Sequence, residues 1–385
     1  MAVVSPREAR YGFSRKSHNG PAIRRIDLQS STLYAQLAQR CRDGRFTTAF
    51  DIDGRFEATT VKGRRHWYFV TSVAGQRQRR YVGLADDPEV AARVENFAHV
   101  RDDPRIRRRL VATLVREAYL PRPVAETGEV VQALADAGFV SVRGVRVGTV
   151  AFQCYAGLLG CRLPNGMLQT SGADFARFHS ISLTVADTIP PVLEVLRAVD
   201  PTFRPVPHQG DAIWAMRFET RTGCRVEFLT PDRAGDEHAG RPATMPALGG
   251  AAAEPLRDLD FLIDRPVRAV MRHGPGIAVA IPAPVRYAVH ELIVTACRDP
   301  RVASSAAKRR KDLQQAATLI DALAADGRST DLGDALHEAW GRGPSWRAAL
   351  EAGVALSVGM EGVEAVRDPP RRALAASGET PDDDL

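Results

Sequence analysis

Three small groups of residues in this 385-residue chain have the types and spacing to do chemistry together. Val147, Gly148 and Thr149 stand at a predicted strand-to-helix junction. Glycine there permits close backbone approach, and a small hydroxyl beside the free N–H groups of a helix start can hold phosphate. Asp174 follows just downstream, in a segment compatible with extended structure, and Glu227 lies in the alternating run 225–229. Carboxylates on neighbouring strands of one sheet can converge on Mg²⁺ or Mn²⁺, which would bridge triphosphate oxygens and favour in-line phosphoryl transfer. Each group also has a plainer reading: a generic strand-to-helix turn, a turn-capping Asp, and a solvent-facing Glu on a strand.

To meet, these residues need a sheet and helices around it. Leu33, Leu37 and Cys41 at i, i+4 and i+8 predict a helix ending near Gly44. The period then changes, and β-rich runs at 66–73 and 76–83 around Ala74 and Gly75 predict a hairpin. Asp86, Asp87, Pro88 and Glu89 read as the start of a long charged helix toward Leu120. Pro121 and Pro123 mark a boundary. Beyond it come a helix over Val130, Val131 and Leu134, a strand at 144–148, a helix from Thr149, a strand at 181–185 and a helix at 190–199. Strands are predicted at 213–219 and 224–229, a loop over the Pro-, Gly- and Ala-rich 231–254, and a hairpin from 266–271 and 277–281. The rest is helical to about Ala339. The division is a disordered 1–22, a basic module at 23–123, a central domain at 124–284, a helical region at 285–345 and a partly disordered tail at 346–385.

Charge is unevenly spread along these segments. Residues 1–123 carry 24 basic and 13 acidic side chains, and the remainder 28 and 33, so the overall +6 conceals a basic N-terminal third. There Arg64, Arg65, Trp67, Tyr68, Arg77, Arg79 and Arg80 interleave cations with aromatics on the predicted hairpin. That combination suits phosphates and unstacked bases, of RNA or DNA; the alternative is a small sheet with aromatics inside and arginines outside. The five cysteines form no C-x-x-C or zinc pattern, and no apolar run reaches membrane-spanning length. A soluble, cytoplasmic protein with no membrane partner is expected.

Several stretches resemble, in order, those of the nucleotidyltransferase superfamily with the polymerase-β-type fold, and within it an uncharacterised bacterial nucleotidyltransferase-like family. They are residues 147–152, 159–164, 169–176, 226–231, 246–250 and 281–290, with Lys311 and Asp312. The resemblance covers roughly residues 124–325. It implies an α+β protein: a mixed β-sheet with flanking helices, a C-terminal helical region and the small N-terminal α/β-hairpin module. It also implies Mg²⁺-dependent transfer of a nucleotidyl group from a nucleoside triphosphate, with Asp174 and Glu227 as catalytic metal ligands and Gly148, Thr149, Lys308 and Lys311 on the nucleotide. Lys308 and Lys311 share a helix face, which reads equally well as a solvated basic surface. The chain departs from the family pattern at Gly172, where the first acid of an Asp-x-Asp pair would stand, and at Glu291, where a Lys is expected after His290 and a repelling charge replaces a possible phosphate partner. Gly172 keeps open a catalytically degenerate member that binds nucleotide or nucleic acid without chemistry. A toxin of a toxin–antitoxin or phage-defence pair is a third reading. His290 is expected as a packed helix residue, and Tyr287 as either a base-stacking or a core residue.

Overall fold

A computed structural model describes residues 23–43, 55–73, 76–140, 143–168, 172–177, 189–206, 215–232, 242–249, 251–298, 301 and 303–357. The chain opens with α1 (Leu28–Asp43), a three-stranded sheet of β1 (Arg55–Val61), β2 (Arg64–Val73) and β3 (Gln76–Leu84), and the long helix α2 (Pro88–Arg116). Next come α3 (Ala125–Asp136), β4 (Val145–Val147), α4 (Gly148–Leu158), β5 (Gly172–Ala176), α5 (Val192–Val199), β6 (Arg204–Val206), β7 (Arg217–Glu219) and β8 (Arg225–Pro231). They are followed by β9 (Ala243–Thr244), β10 (Ala252–Leu256), α6 (Leu259–Ile263), β11 (Val267–Met271) and β12 (Ile277–Ile281). Four helices complete the described chain: α7 (Pro284–Cys297), α8 (Ala303–Ala325), α9 (Ser329–Gly341) and α10 (Pro344–Ser357).

The central sheet runs β4-β5-β8-β10-β9, with β7 also on β8 and β6 on β7. β5, β8 and β10 are parallel, whereas β4, β7 and β9 pair antiparallel to their neighbours, so the sheet is mixed. This α+β arrangement of helices around a mixed sheet agrees with the expected class. Two details differ. A strand at 55–61, not read from the sequence, turns the expected hairpin into a three-stranded sheet, because Phe56 pairs with Phe69 and both pack on Phe97 of α2. Within the expected loop 231–254 the chain forms β9 and begins β10; alanine and proline are poor strand formers, but pairing with β8 overrides local preference. The strand expected at 181–185, the N-terminal 1–22 and the tail beyond residue 357 lie outside the described residues. None of the helices described is long and apolar enough to cross a membrane.

α4 is apolar on nearly every side, as a helix enclosed by protein must be, and packs on β4, β5 and β11. At Gly157 the Tyr34 ring of α1 lies so close that an added Cβ would stand 2.3 Å from it. The Tyr34 hydroxyl accepts a 3.3 Å hydrogen bond from Val270 N. Residues just before α1 join the same body, since Ile26 N donates to Gly160 O and Arg162 N to Arg24 O. Tyr34, Leu37, Leu114 and Leu120 therefore share one core with α4 and the central sheet.

Candidate functional site

Strand alternation sends every second side chain to one face, and parallel pairing of β5 with β8 puts Asp174 directly opposite Glu227. β4 flanks β5 on its other edge, with Val147 opposite Asp174. The next residue, Gly148, turns the chain into α4 at φ +67, a left-handed conformation that favours glycine. A Cβ there would lie 2.5 Å from Asp174 Oδ2, so the carboxylate rests against the start of the helix. The N-cap, Val147, gives α4 no side-chain cap.

The fourth contributor arrives from 162 residues away. Leu313, Ala316, Ala317, Ile320 and Leu323 form the buried stripe of α8. This seats the helix so that Lys311 Nζ donates a 2.9 Å hydrogen bond to Thr149 Oγ1. Lys308 is exposed one turn earlier, near enough for its charge to act on both Asp174 and Glu227. Gly148, Thr149, Asp174, Glu227, Lys308 and Lys311 thus occupy one neighbourhood.

Burial pushes the Asp174 carboxyl pKa up, against the pull of Arg146, Lys311, Lys308 and Arg217. Glu227 is raised first by burial and then by the Asp174 charge, so the two carboxylates repel each other. Behind the sheet the buried Arg146 stacks on Phe175, 4.5 Å from its ring centre, and donates to the Asp174 backbone carbonyl. Burial brings its pKa down to about 10. In front, Arg217 lies opposite Glu227 in the register of β7 and β8. Its guanidinium reaches Glu227 at 3.3 Å and Glu254 of β10 at 2.6 Å.

Arg146, Arg217 and Glu254 were missed in the sequence. Arg146 carried a signal, as a charge between two valines of a short strand. Glu254 carried none, because it lay in the stretch read as loop.

Around this cluster the remaining candidates separate. Tyr287 is a core residue, donating to Gln315 Oε1 at 2.9 Å and packing against Phe152 and Tyr155. His290 is buried in α7, as expected, and desolvation takes its pKa down to about 4. Glu291 is buried in α7, where its charged form is disfavoured. Burial, reinforced by Asp312, holds its carboxyl pKa well above the usual range, and Asp312 is itself paired with Arg298 at 2.7 Å.

The N-terminal sheet divides its seven candidates by register. Tyr68, Arg77 and Arg79 share the face away from Phe69 and Phe97, with Arg79 stacked 3.9 Å over the Tyr68 ring and Arg77 paired to Glu57 at 2.5 Å. Trp67, Arg65 and Arg80 are on the face of Phe69, and Arg64 opens β2 next to the turn at Lys62 and Gly63.

Asp174 and Glu227, in register and repelling, have the donor chemistry for one hard divalent cation, which prefers oxygen ligands and accepts one or two carboxylates. A pair of ions does not fit as well. Position 172 brings no carboxylate, Glu254 is engaged by Arg217, and no cluster of three or more metal-type side chains occurs among the described residues.

Comparison with known proteins adds one positive finding. Residues 125–341, more than half of the chain, match a family model described as "Nucleotidyltransferase". No curated protein and no solved structure was found to match.

Proposed function

Because the chain belongs to this nucleotidyltransferase family, we propose that it transfers a nucleotidyl group from a nucleoside triphosphate to an acceptor hydroxyl, whose oxygen bonds the α-phosphorus as the bond to the β-phosphate breaks, releasing pyrophosphate and the hydroxyl proton, on the sheet face bearing Asp174 and Glu227. The observation that carries the proposal is the bond from Lys311 Nζ to Thr149 Oγ1, beside an Asp174 carboxylate resting on Gly148. It joins a cation, a hydroxyl, an uncapped helix start and an acidic pair, the parts a triphosphate needs.

In this reading Thr149 and the first-turn N–H groups of α4 take phosphate oxygens, and the helix dipole favours their charge. Lys311 and Lys308 neutralise the triphosphate further. Asp174 and Glu227 would hold one Mg²⁺, or Mn²⁺, which when bound would supply a charge that offsets the developing negative charge on phosphate oxygens. Burial of Asp174 strengthens every charge–charge interaction there. The face bearing Tyr68, Arg77 and Arg79 supports an RNA acceptor, whose phosphates would take Arg79 from the Tyr68 ring and compete with Glu57 for Arg77. Four buried free cysteines and one exposed one support a reducing cytoplasm.

A second reading, binding without chemistry, is favoured by Gly172 and by Arg217, whose charge already engages Glu227. One experiment separates the two. The protein is incubated with labelled nucleoside triphosphates, Mg²⁺ or Mn²⁺ and total RNA, beside Asp174→Ala and Gly172→Asp. Label transfer by the native protein that disappears in Asp174→Ala supports chemistry; transfer by Gly172→Asp alone supports the degenerate reading.

A further inference from the structure

A cleft of about 600 Å³ opens away from Asp174, between the C-terminal half of α2, the start of α3 and the turn after β11. Its α2 wall is one helix face: Arg108, Val111, Ala112, Val115 and Arg116 follow at i, i+3, i+4, i+7 and i+8. Arginines stand at the two ends of that face and apolar residues between them. Arg122 and Arg272 complete the charged lining, His273 and Pro123 line it too, and none of the described residues lining the cleft is acidic.

Two features single out these arginines. Arg108, Arg116 and Arg122 have no carboxylate partner among the described residues; the one bond from Arg116 goes to Ala112 O, in its own helix. Arg272 is the stronger observation. It is 1% exposed, and its guanidinium meets backbone carbonyls only, Nε to Pro121 O at 2.6 Å and Nη2 to Gln153 O at 2.5 Å. Its Nη1 is buried without any partner. A buried cation with no counter-charge and one unused donor is costly, and an anion in the cleft that Arg272 lines would supply the counter-charge.

We propose that this cleft is a second ligand site, taking a nucleotide unit together with its flanking phosphates, separate from the triphosphate site at Gly148. Guanidinium forks match phosphate oxygens, and the wall of Val111, Val115 and Pro123 offers an apolar bed for base and sugar. The volume lies within the range of small-molecule sites. Arg108 and Arg116 are roughly 12 Å apart along the helix axis, too far to share one phosphate, so the ligand carries more than one. That requirement is met by a stretch of single-stranded RNA or by a free nucleoside polyphosphate. Arg272 also ties the cleft to α4, since Gln153 lies five residues along the helix that Gly148 opens.

The test measures anisotropy of a short fluorescein-labelled oligouridylate, without divalent ions, on the full chain and its variants. Arg116→Ala with Arg122→Ala removes two exposed cations and leaves the buried Arg272 in place, so the fold is retained; circular dichroism checks this. Affinity is expected to fall at least tenfold, with a shallower salt dependence. Val115→Asp should give a comparable loss. Arg347→Ala, which removes an exposed cation of α10, should retain binding within about twofold. Unlabelled ATP that competes assigns the cleft to free nucleotides, and ATP that does not assigns it to strands; both agree with the proposal. Binding unchanged in the Arg116/Arg122 variant, or lost equally in Arg347→Ala, overturns it. Because this readout needs no label transfer, its failure is distinct from failure of the proposed chemistry.

Discussion

Lys311 Nζ stands 2.9 Å from Thr149 Oγ1, so a helix from the C-terminal region reaches the first turn of the helix that leaves the central sheet. A charged hydrogen bond contributes about 1.5–3 kcal/mol. Lys311→Ala should weaken nucleoside triphosphate binding by about 10- to 100-fold, read by titration with a fluorescent nucleotide. Lys311→Arg should recover part of it. Unchanged affinity in Lys311→Ala would remove the lysine from the site.

Gly148→Ala should both strain the backbone and displace a carboxylate. At φ +67 an alanine costs about 1–3 kcal/mol, and its Cβ falls 2.5 Å from Asp174 Oδ2. Denaturant unfolding should register that loss, and label transfer should fall with it. In an Asp174→Ala background the same substitution should cost less, because only the backbone strain remains. Equal costs in the two backgrounds would show that the carboxylate does not rest where described.

Gly172→Asp would add a carboxylate two residues before Asp174, on the same face of β5. Mn²⁺ affinity, followed by electron paramagnetic resonance, should rise by about tenfold, on the scale of one added ligand. The extra charge should push the Asp174 pKa further up and lower stability at neutral pH without metal. An unaltered Mn²⁺ titration would argue against Asp174 as an ion ligand.

Glu291 provides a test by pH. Its pKa is raised in the folded state, so the folded protein holds that proton more tightly than the unfolded chain does. Its unfavourable effect is absent below the unfolded pKa near 4.5 and grows as pH rises toward the folded value. Glu291→Gln should therefore leave stability near pH 4 almost unchanged and raise it at pH 7, relative to the native protein. Thermal melts across that range would show a shallower decline in the variant; a steeper one would contradict the assignment.

How far the site was readable before the structure depends on the range of the signal. Glu227 stood out because alternation is local, whereas Asp174, in a stretch only compatible with extended structure, stood out through the resemblance. Lys311 was identified with its buried stripe, since helical period is also local, but its partner Thr149 could not be read from spacing across 162 residues. The family-like order of motifs, rather than any one of them, linked the two. Arg217 and Glu254 escaped because their meaning lies in strand register, and β10 is built of alanine, glutamate and proline that look like loop until β8 pairs with them. Glu291 was misjudged for a related reason: a helix sequence shows a charge, and only packing shows that it faces Asp312 and the interior.

The hollow beside α4 has a consequence for descent. Residues 125–341 answer to the family, yet Tyr34 and Leu37 lie before them and fill the space left by Gly157 and Gly276. Each such buried side chain contributes roughly 1.5–3 kcal/mol, so the inherited stretch and the cooperatively folded stretch have different edges. A relative with an unrelated leading segment must plug that hollow with other large apolar residues, or carry bulkier side chains where this chain has the two glycines. Coordinated change between these glycines and the leading helix is the trace that such a history would leave.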